Sequence, residues 1–325
     1  MAKRPIIATL GPSSLHLSRE IAEAGATAFR LNGSHMTADD VGRTLRLIRA
    51  VSDLPVVVDL QGAKMRLGIF EPLPISQGQP LVFGMMRGSA CHDCLPLPHQ
   101  ELFEIIEPGM TLSCDDGRIH MRVERVEPRR LWVTCLSNAV LLPRKGVNVV
   151  ESPVYPQRMA EADLDLVQVA TEFSNVGFAC SFMRDGQEAD WVRKVAKGCQ
   201  IAGKIELAEA IVAIGAIAAK VDSVWICRGD LGAQIGEMQM ARWMSEFDPR
   251  SLPVPTLIAG QVLEHLTYHE FATRSEVCHV VDLLRRGYRG LVLSDETAIG
   301  TQPVGATRTA YRLVESFDRA WDGEG

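Results

Sequence analysis

The chain has no long apolar run. Its most apolar stretch, Ala210 to Val221, is far short of the 18 to 20 residues, roughly, that a membrane span needs, and Lys220 interrupts it. It has no excess of positive charge either. Lys plus Arg number 34 against 40 for Asp plus Glu, a net charge of −6, so no broad cationic face is offered to a nucleic acid backbone or an anionic membrane. The first eleven residues, MAKRPIIATLG, hold too few apolar positions for a signal-peptide core, and the chain reads as cytoplasmic. The eight cysteines, at 91, 94, 114, 135, 180, 199, 227 and 278, are scattered, and four lie inside apolar runs as buried thiols do, so no disulfide framework is implied. Internal repeats and low-complexity tracts are absent.

What remains is an ordinary globular composition of 325 residues, 46% hydrophobic and 23% charged. Short runs rich in Val, Ile and Leu alternate with helical periodicity. Eight such runs are Ile6–Leu10, Ala28–Asn32, Val56–Leu60, Val176–Phe182, Cys199–Ile205, Ser223–Cys227, Thr256–Ala259 and Gly290–Ser294. Amphipathic helices are expected at Ala160–Phe173, Glu188–Lys197, Leu207–Lys220, Ser275–Arg286 and Val304–Asp318. Thr37 with Asp40 reads as a capping pair, and Gly287 as the stop after Arg285 and Arg286. Between residues 68 and 150 the pattern changes to short alternating strands broken by Pro and Gly, with IHMRVERVE and RRLWVTCLS reading as hairpin strands. Without that insertion the chain is close to the roughly 250 residues of an eight-fold parallel barrel. The expected architecture is α/β: a (β/α)8 TIM barrel of residues 1–67 and 151–325 with an inserted small β-rich lid domain, 68–150.

In such a barrel the active site forms where the strands end. The strand ends here carry RLNGSH (Arg30 to His35), DLQGAKMR (Asp59 to Arg66), SFMR (Ser181 to Arg184), GKIE (Gly203 to Glu206), CRGDLG (Cys227 to Gly232), AGQ (Ala259 to Gln261) and SDET (Ser294 to Thr297). Strand ends meet water, which accounts for any one polar residue but poorly for the whole set. Glu206 and Asp230 could supply two carboxylates to a hard cation such as magnesium, with manganese as its substitute. Arg30, Arg66 and Lys204 would then face an anionic group beside it, the constellation that phosphoryl transfer needs; structural salt bridges are the plain alternative.

Two decoys stand out. Gly198 to Lys204 reads GCQIAGK, most of a phosphate-binding loop, but Ile205 stands where Ser or Thr must bind metal, and the segment reads as a strand. The pair Cys91 and Cys94, with His99 and Cys114 near in sequence, has zinc-like spacing, but no second C-x-x-C accompanies it, and a solvent-facing loop is the expected reading.

Taken in order, IIATLGPSS, AGATAFRLNGSHMT, VVVDLQGAKMRLG, DDGRIHMRV, KGVNV, SFMR, GKIE, CRGDLG and LSDETAIGTQPVGA resemble the pyruvate kinase family from about residue 6 to 318. The resemblance implies transfer of the phosphoryl group from phosphoenolpyruvate to ADP through a magnesium-bound enolate, giving pyruvate and ATP. It implies that Glu206 and Asp230 hold the magnesium and that Lys204, Arg30 and Arg66 neutralise the phosphoryl group. The backbone amides of Gly229 and Asp230 would meet the substrate carboxylate, beside Ser181 and Gly260. Arg30, Asn32, His35 and Pro12 would line the nucleotide side, with Asp115 and Lys145 on the lid, and Asn32, Ser34, Asp59 and the Leu60 carbonyl would match the monovalent-cation ligands.

Three departures follow from the comparison of motifs. Lys64 stands where potassium-dependent members carry Glu, and its ammonium could replace the ion, which predicts independence from potassium; a lysine pointing into solvent is the alternative. Gly260 stands where the family has Thr, so carbon protonation would need water or a relay through Ser294. It also opens space beside the enolate, which favours as an alternative a magnesium-dependent lyase, decarboxylase or carbon–carbon bond-forming enzyme acting on pyruvate or phosphoenolpyruvate. Gln61 likewise replaces a Lys of many members. The sequence ends at about the last barrel helix, which predicts no C-terminal-domain allostery and a monomer or barrel-to-barrel dimer. A non-catalytic sensor would be expected to have lost the metal ligands, and both are present.

Overall fold

In the computed structural model the described residues are 3–62, 64–86, 93–115, 117–151 and 155–321. The chain divides into two compact units, residues 1–62 with 159–325, and residues 63–158.

The described residues form sixteen strands. Three open the first unit: β1 (Ile6–Leu10), β2 (Ala28–Asn32) and β3 (Val56–Leu60). Eight build the second: β4 (Leu73–Ile75), β5 (Pro80–Gly84), β6 (Leu95–Pro96), β7 (Thr111–Cys114), β8 (Ile119–Glu127), β9 (Arg130–Cys135), β10 (Ala139–Leu141) and β11 (Val147–Val149). Five return to the first: β12 (Val176–Cys180), β13 (Ile201–Ile205), β14 (Ser223–Cys227), β15 (Thr256–Ala259) and β16 (Gly290–Leu293). The first unit closes as a barrel in the order β1-β16-β15-β14-β13-β12-β3-β2 with every pairing parallel, the (β/α)8 arrangement expected from the eight apolar runs.

Strand alternation decides what the barrel encloses. Ile7, Ala28, Ala179, Ala202, Trp225, Cys227, Leu257, Ala259 and Val292 pack together inside, with Val57 against them. Two residues further along β1, β2, β3 and β13, the same face carries Thr9, Arg30, Asp59 and Lys204, and Ser181 follows directly after β12. An apolar floor thus gives way to a polar ring at the C-terminal ends.

The second unit is a six-stranded sheet, β11-β7-β8-β9-β5-β6, with a separate β10-β4 pair, around its own core that includes Phe83, Leu112, Met121, Leu131 and Val147. The expected hairpin is β8 paired with β9, and Arg125 stacks over Trp132 across it. The helix Gln100–Ile105 was not expected in this β-rich stretch; it spans only six residues, too few for periodicity to show.

The helices follow the expected pattern with one break. Thr37 and Asp40 form a capping box on the helix Ala38–Arg49, and Gly287 takes a φ of 107° after the helix Arg274–Arg285. The span expected as one helix from Leu207 is two five-residue helices, Ala208–Val212 and Ile214–Ala218, joined at Ala213; Gly215 weakens continuation there. The decoy GCQIAGK ends in β13, a strand as expected. No described helix is long and apolar enough to cross a membrane.

Candidate active site

Asp59 is the hub of the barrel mouth. It accepts hydrogen bonds from Arg30 Nε at 2.7 Å, from Lys204 Nζ at 3.0 and 3.2 Å, and from Ser181 Oγ at 3.0 Å. Lys204 also donates to Ser181 Oγ at 2.8 Å and sits 3.0 Å from Glu206 Oε1, while Arg30 Nη1 donates to Thr9 Oγ1 at 3.0 Å. Asp59, Ser181, Lys204 and Glu206 are all buried. The charges of Asp59 and Lys204 survive burial because they neutralise one another at short range.

The electrostatics follow. Burial works against the Asp59 carboxylate, but Lys204 and then Arg30 outweigh it and hold its pKa below the usual carboxylate range. Burial likewise opposes the charge on Lys204, which Asp59 and Glu206 overcome, so its pKa rises. Arg30 is raised in the same way, Asp59 outweighing burial. Glu206 behaves oppositely: burial pushes its pKa up, Lys204 offsets this only in part, and Asp230 and Asp59 add repulsion. Its Oε2 accepts the Phe182 amide at 2.8 Å, and its buried Oε1 makes no hydrogen bond of good geometry.

At that oxygen, with Asp230 adding repulsion to its charge, a cation would offset both burial and the like charge. Asp230 and Gly229 are exposed in the first turn of the helix Arg228–Ile235. Among the described residues no group of three or more His, Cys, Asp or Glu side chains forms a cage, and Glu206 and Asp230 are two carboxylates of the kind that a hard cation takes alongside water and substrate oxygens.

The remaining expected residues fall as follows. Pro12 is exposed just after β1. Asn32 ends β2 opposite Asp59, and its Oδ1 accepts the Ser34 amide at 3.3 Å. His35 closes that short turn. Leu60 is buried at the end of β3. Ser294 follows β16, and its amide donates to Glu296 Oε2 at 2.9 Å. In the second unit Lys145 pairs with Asp115 at 2.7 Å, and Arg66 Nη1 donates to the Arg144 carbonyl at 3.2 Å. The Lys64 side chain lies across Gly146, where a Cβ would come within 2.5 Å of its Cε. The barrel therefore brings Arg30, Asp59, Ser181, Lys204, Glu206 and Asp230 together, whereas Lys64, Arg66, Asp115 and Lys145 belong to the other unit.

The described residues weighed for zinc fall as follows, and the disulfide at Cys94 departs from a sequence that implied none. Cys94 is disulfide-bonded, Cys114 is a buried free thiol with its pKa pushed up by burial, and the His99 ring lies 2.8 Å from the Arg66 backbone; Cys91 lies outside the described residues.

Four residues of the mouth were not singled out from sequence. Thr9 could have been, standing two positions after Ile7 on one strand face. Asp163, buried, accepts the amides of Gln61 at 2.9 Å and Gly62 at 2.8 Å from a helix about a hundred residues away, which no local pattern shows. Arg228 lies inside CRGDLG but turns to the backbone after β15, and Glu296 lies inside SDET and is buried.

The family model described as "Pyruvate kinase, barrel domain" matches residues 1–307. A pyruvate kinase of Agrobacterium vitis is 33% identical over 97% of this chain and 68% of its own length. Pyruvate kinases of Methylorubrum extorquens and Mycobacterium tuberculosis are 29% and 28% identical, over 97% and 95% of this chain and 68% and 69% of theirs. With a closed parallel barrel, a charged ring of Arg30, Asp59, Lys204 and Glu206 at its mouth and matches along nearly its whole length, the chain belongs to the pyruvate kinase family.

Proposed function

We propose that the protein transfers the phosphoryl group of phosphoenolpyruvate to ADP, giving pyruvate and ATP, with magnesium required and potassium not. The observation that carries this is the Lys204–Asp59–Arg30 cluster beside Glu206 and Asp230. Lys204 and Arg30 keep their charge at any physiological pH and are held in place before substrate arrives. Electrostatic stabilisation of the transferring group therefore needs no reorganisation. The amides of Gly229 and Asp230, in the first turn of their helix, are donors suited to the substrate carboxylate. Glu206 and Asp230 would hold magnesium, which when bound supplies positive charge to the phosphoryl and enol oxygens. Arg66 is assigned, with Lys204 and Arg30, to neutralising the phosphoryl group, Asp115 and Lys145 to the lid, and Arg30, Asn32, Pro12 and His35 to the nucleotide side.

The phosphoryl group leaves the enol oxygen for a terminal oxygen of ADP, and the enolate left behind takes a proton at carbon. Gly260 offers no side-chain proton, so water or Ser294 delivers it. The independence from potassium rests on Lys64 standing at the sequence position where potassium-dependent members carry Glu. Gly260 also favours a second reading: a Cβ there would meet only two backbone nitrogens, at 3.4 and 3.6 Å, leaving room for a different electrophile at the enolate face.

The test is an assay with phosphoenolpyruvate, ADP and magnesium in potassium-free buffer, with proton NMR following the carbon product. ATP and pyruvate are expected, with no severalfold gain on adding potassium; such a gain would remove the Lys64 assignment. Magnesium-dependent deuterium exchange into the pyruvate methyl group without ATP would favour the second reading. In calorimetry Glu206→Gln and Asp230→Asn should each abolish magnesium binding, and unchanged affinity would reject the ligand assignment.

A further inference from the structure

The turn after β15 is held in an unusual way. Gly260 and Gln261 both have left-handed backbones, with φ of 77° and 53°. Glycine adopts this freely, but that same freedom leaves an untethered turn free to wander, and a non-glycine residue in this region is strained unless its surroundings enforce it.

The enforcement comes from Arg228. Its Nε and Nη2 donate to the Gly260 carbonyl at 2.9 and 2.7 Å, and Nη2 donates also to the Gln261 carbonyl at 2.6 Å. Nη1 donates to His279 Nε2 at 2.7 Å, which steadies the fork from outside. Charge-assisted bonds from a planar, preorganised fork suit two neighbouring carbonyls better than a flexible ammonium does. On the far side of the turn the buried Glu296 accepts the Leu263 amide at 3.3 Å and the Ser294 amide at 2.9 Å.

Arg228 is also the first residue of the helix Arg228–Ile235, so its side chain ties the turn to the start of that helix. The two backbones approach closely: a Cβ on Gly260 would lie 3.4 Å from the Gly229 nitrogen and 3.6 Å from that of Arg228. The turn and the helix start are thus packed directly against each other.

We infer that Arg228 is a positioning residue for the enolate chemistry: its guanidinium locks the Gly260–Gln261 turn against the start of the helix Arg228–Ile235. The amides of Gly229 and Asp230 and the backbone at Gly260 thereby keep one spacing while the substrate changes from enol phosphate to enolate to ketone. Arg228 itself does not touch the substrate; its donors are committed to the turn and to His279. This inference rests on the function proposed above.

The test compares wild type, Arg228→Lys and Arg228→Ala, each with magnesium, phosphoenolpyruvate and ADP. The expected result is a kcat lowered at least tenfold in Arg228→Ala, with partial recovery in Arg228→Lys and on adding millimolar guanidinium to Arg228→Ala, and KM for ADP within about threefold of wild type. Amide hydrogen exchange read by mass spectrometry should speed at least tenfold in the peptide spanning residues 259–264 and stay unchanged in β1 and β3. A kcat within twofold of wild type, unchanged exchange at 259–264, or exchange accelerated equally throughout the barrel would each overturn the inference. Wild type in the same assay reads the underlying function: if it neither makes ATP nor exchanges pyruvate protons, that reading falls, and the amide exchange alone then decides whether Arg228 clamps the turn.

Discussion

Asp59 faces two cations with one carboxylate, which makes it the residue whose loss the barrel mouth tolerates least. Asp59→Asn leaves buried Lys204 with Ser181 and one carboxylate, Glu206, and Arg30 with Thr9. Breaking a buried pair in this way costs about 3–5 kcal/mol, so urea unfolding at pH 7 should show a loss of that order. The sign with pH is set by the depressed pKa of Asp59: its stabilisation is present above the unfolded carboxylate value of about 3.9 and is lost as pH falls through the lower folded value. The gap between wild type and Asp59→Asn should therefore narrow only in strong acid, and a gap already closed at pH 5 would contradict the pairing. At Gly260 the constraint is the backbone, since a Cβ would sit at ordinary contact distance from the Gly229 and Arg228 nitrogens but φ is 77°. Gly260→Thr should cost about 1–2 kcal/mol in the same measurement, and a variant as stable as wild type would mean that the turn is not left-handed.

At the scale of elements, the mouth depends on how strand ends abut. Gly62, with φ of 76°, passes so close to β12's continuation that a Cβ would lie 1.9 Å from the Ser181 carbonyl. Asp163 holds the same turn by two amides. Gly62→Ala combines left-handed strain of about 1–2 kcal/mol with overpacking of about 1–3 kcal/mol. It should also push Ser181 away from Lys204, so phosphoryl transfer should fall with stability, measured as kcat beside a urea melt. Element identity was largely legible: β-branched runs and polar ends marked all eight barrel strands, and capping chemistry marked the start of the helix Ala38–Arg49. The Asp163 contact was not, because its partners are about a hundred residues away and neither segment carries a local signal for the other. Arg228 sat in a motif read for its neighbours Gly229 and Asp230, and nothing local shows that its side chain reaches carbonyls thirty-two and thirty-three residues later.

At the scale of the barrel as a whole, closure joins Ile6–Ala8 of β1 to Leu291–Leu293 of β16 across almost the entire chain. Gly290 permits it, since a Cβ there would come 2.4 Å from the Pro5 carbonyl. Gly290→Ala should destabilise the barrel by about 1–3 kcal/mol, seen as an earlier urea midpoint, with faster amide exchange in β1 and β16 than in β3. Equal exchange in all three strands would show that closure does not depend on that glycine.

The sequence by itself determined the barrel class, the β-rich insertion, the polar strand ends and the family, because alternation, helical periodicity and ordered motifs are properties of neighbouring residues. Only the tertiary structure decided which charges neutralise which. Asp59 bonding Arg30, Ser181 and Lys204 at once, Glu206 accepting the Phe182 amide, and the grips of Asp163 and Arg228 all join segments distant in the chain. Hydrogen bonds and ion pairs act over a few ångströms in space, and where distant strand ends come to lie is set by barrel closure rather than by any local run of residues.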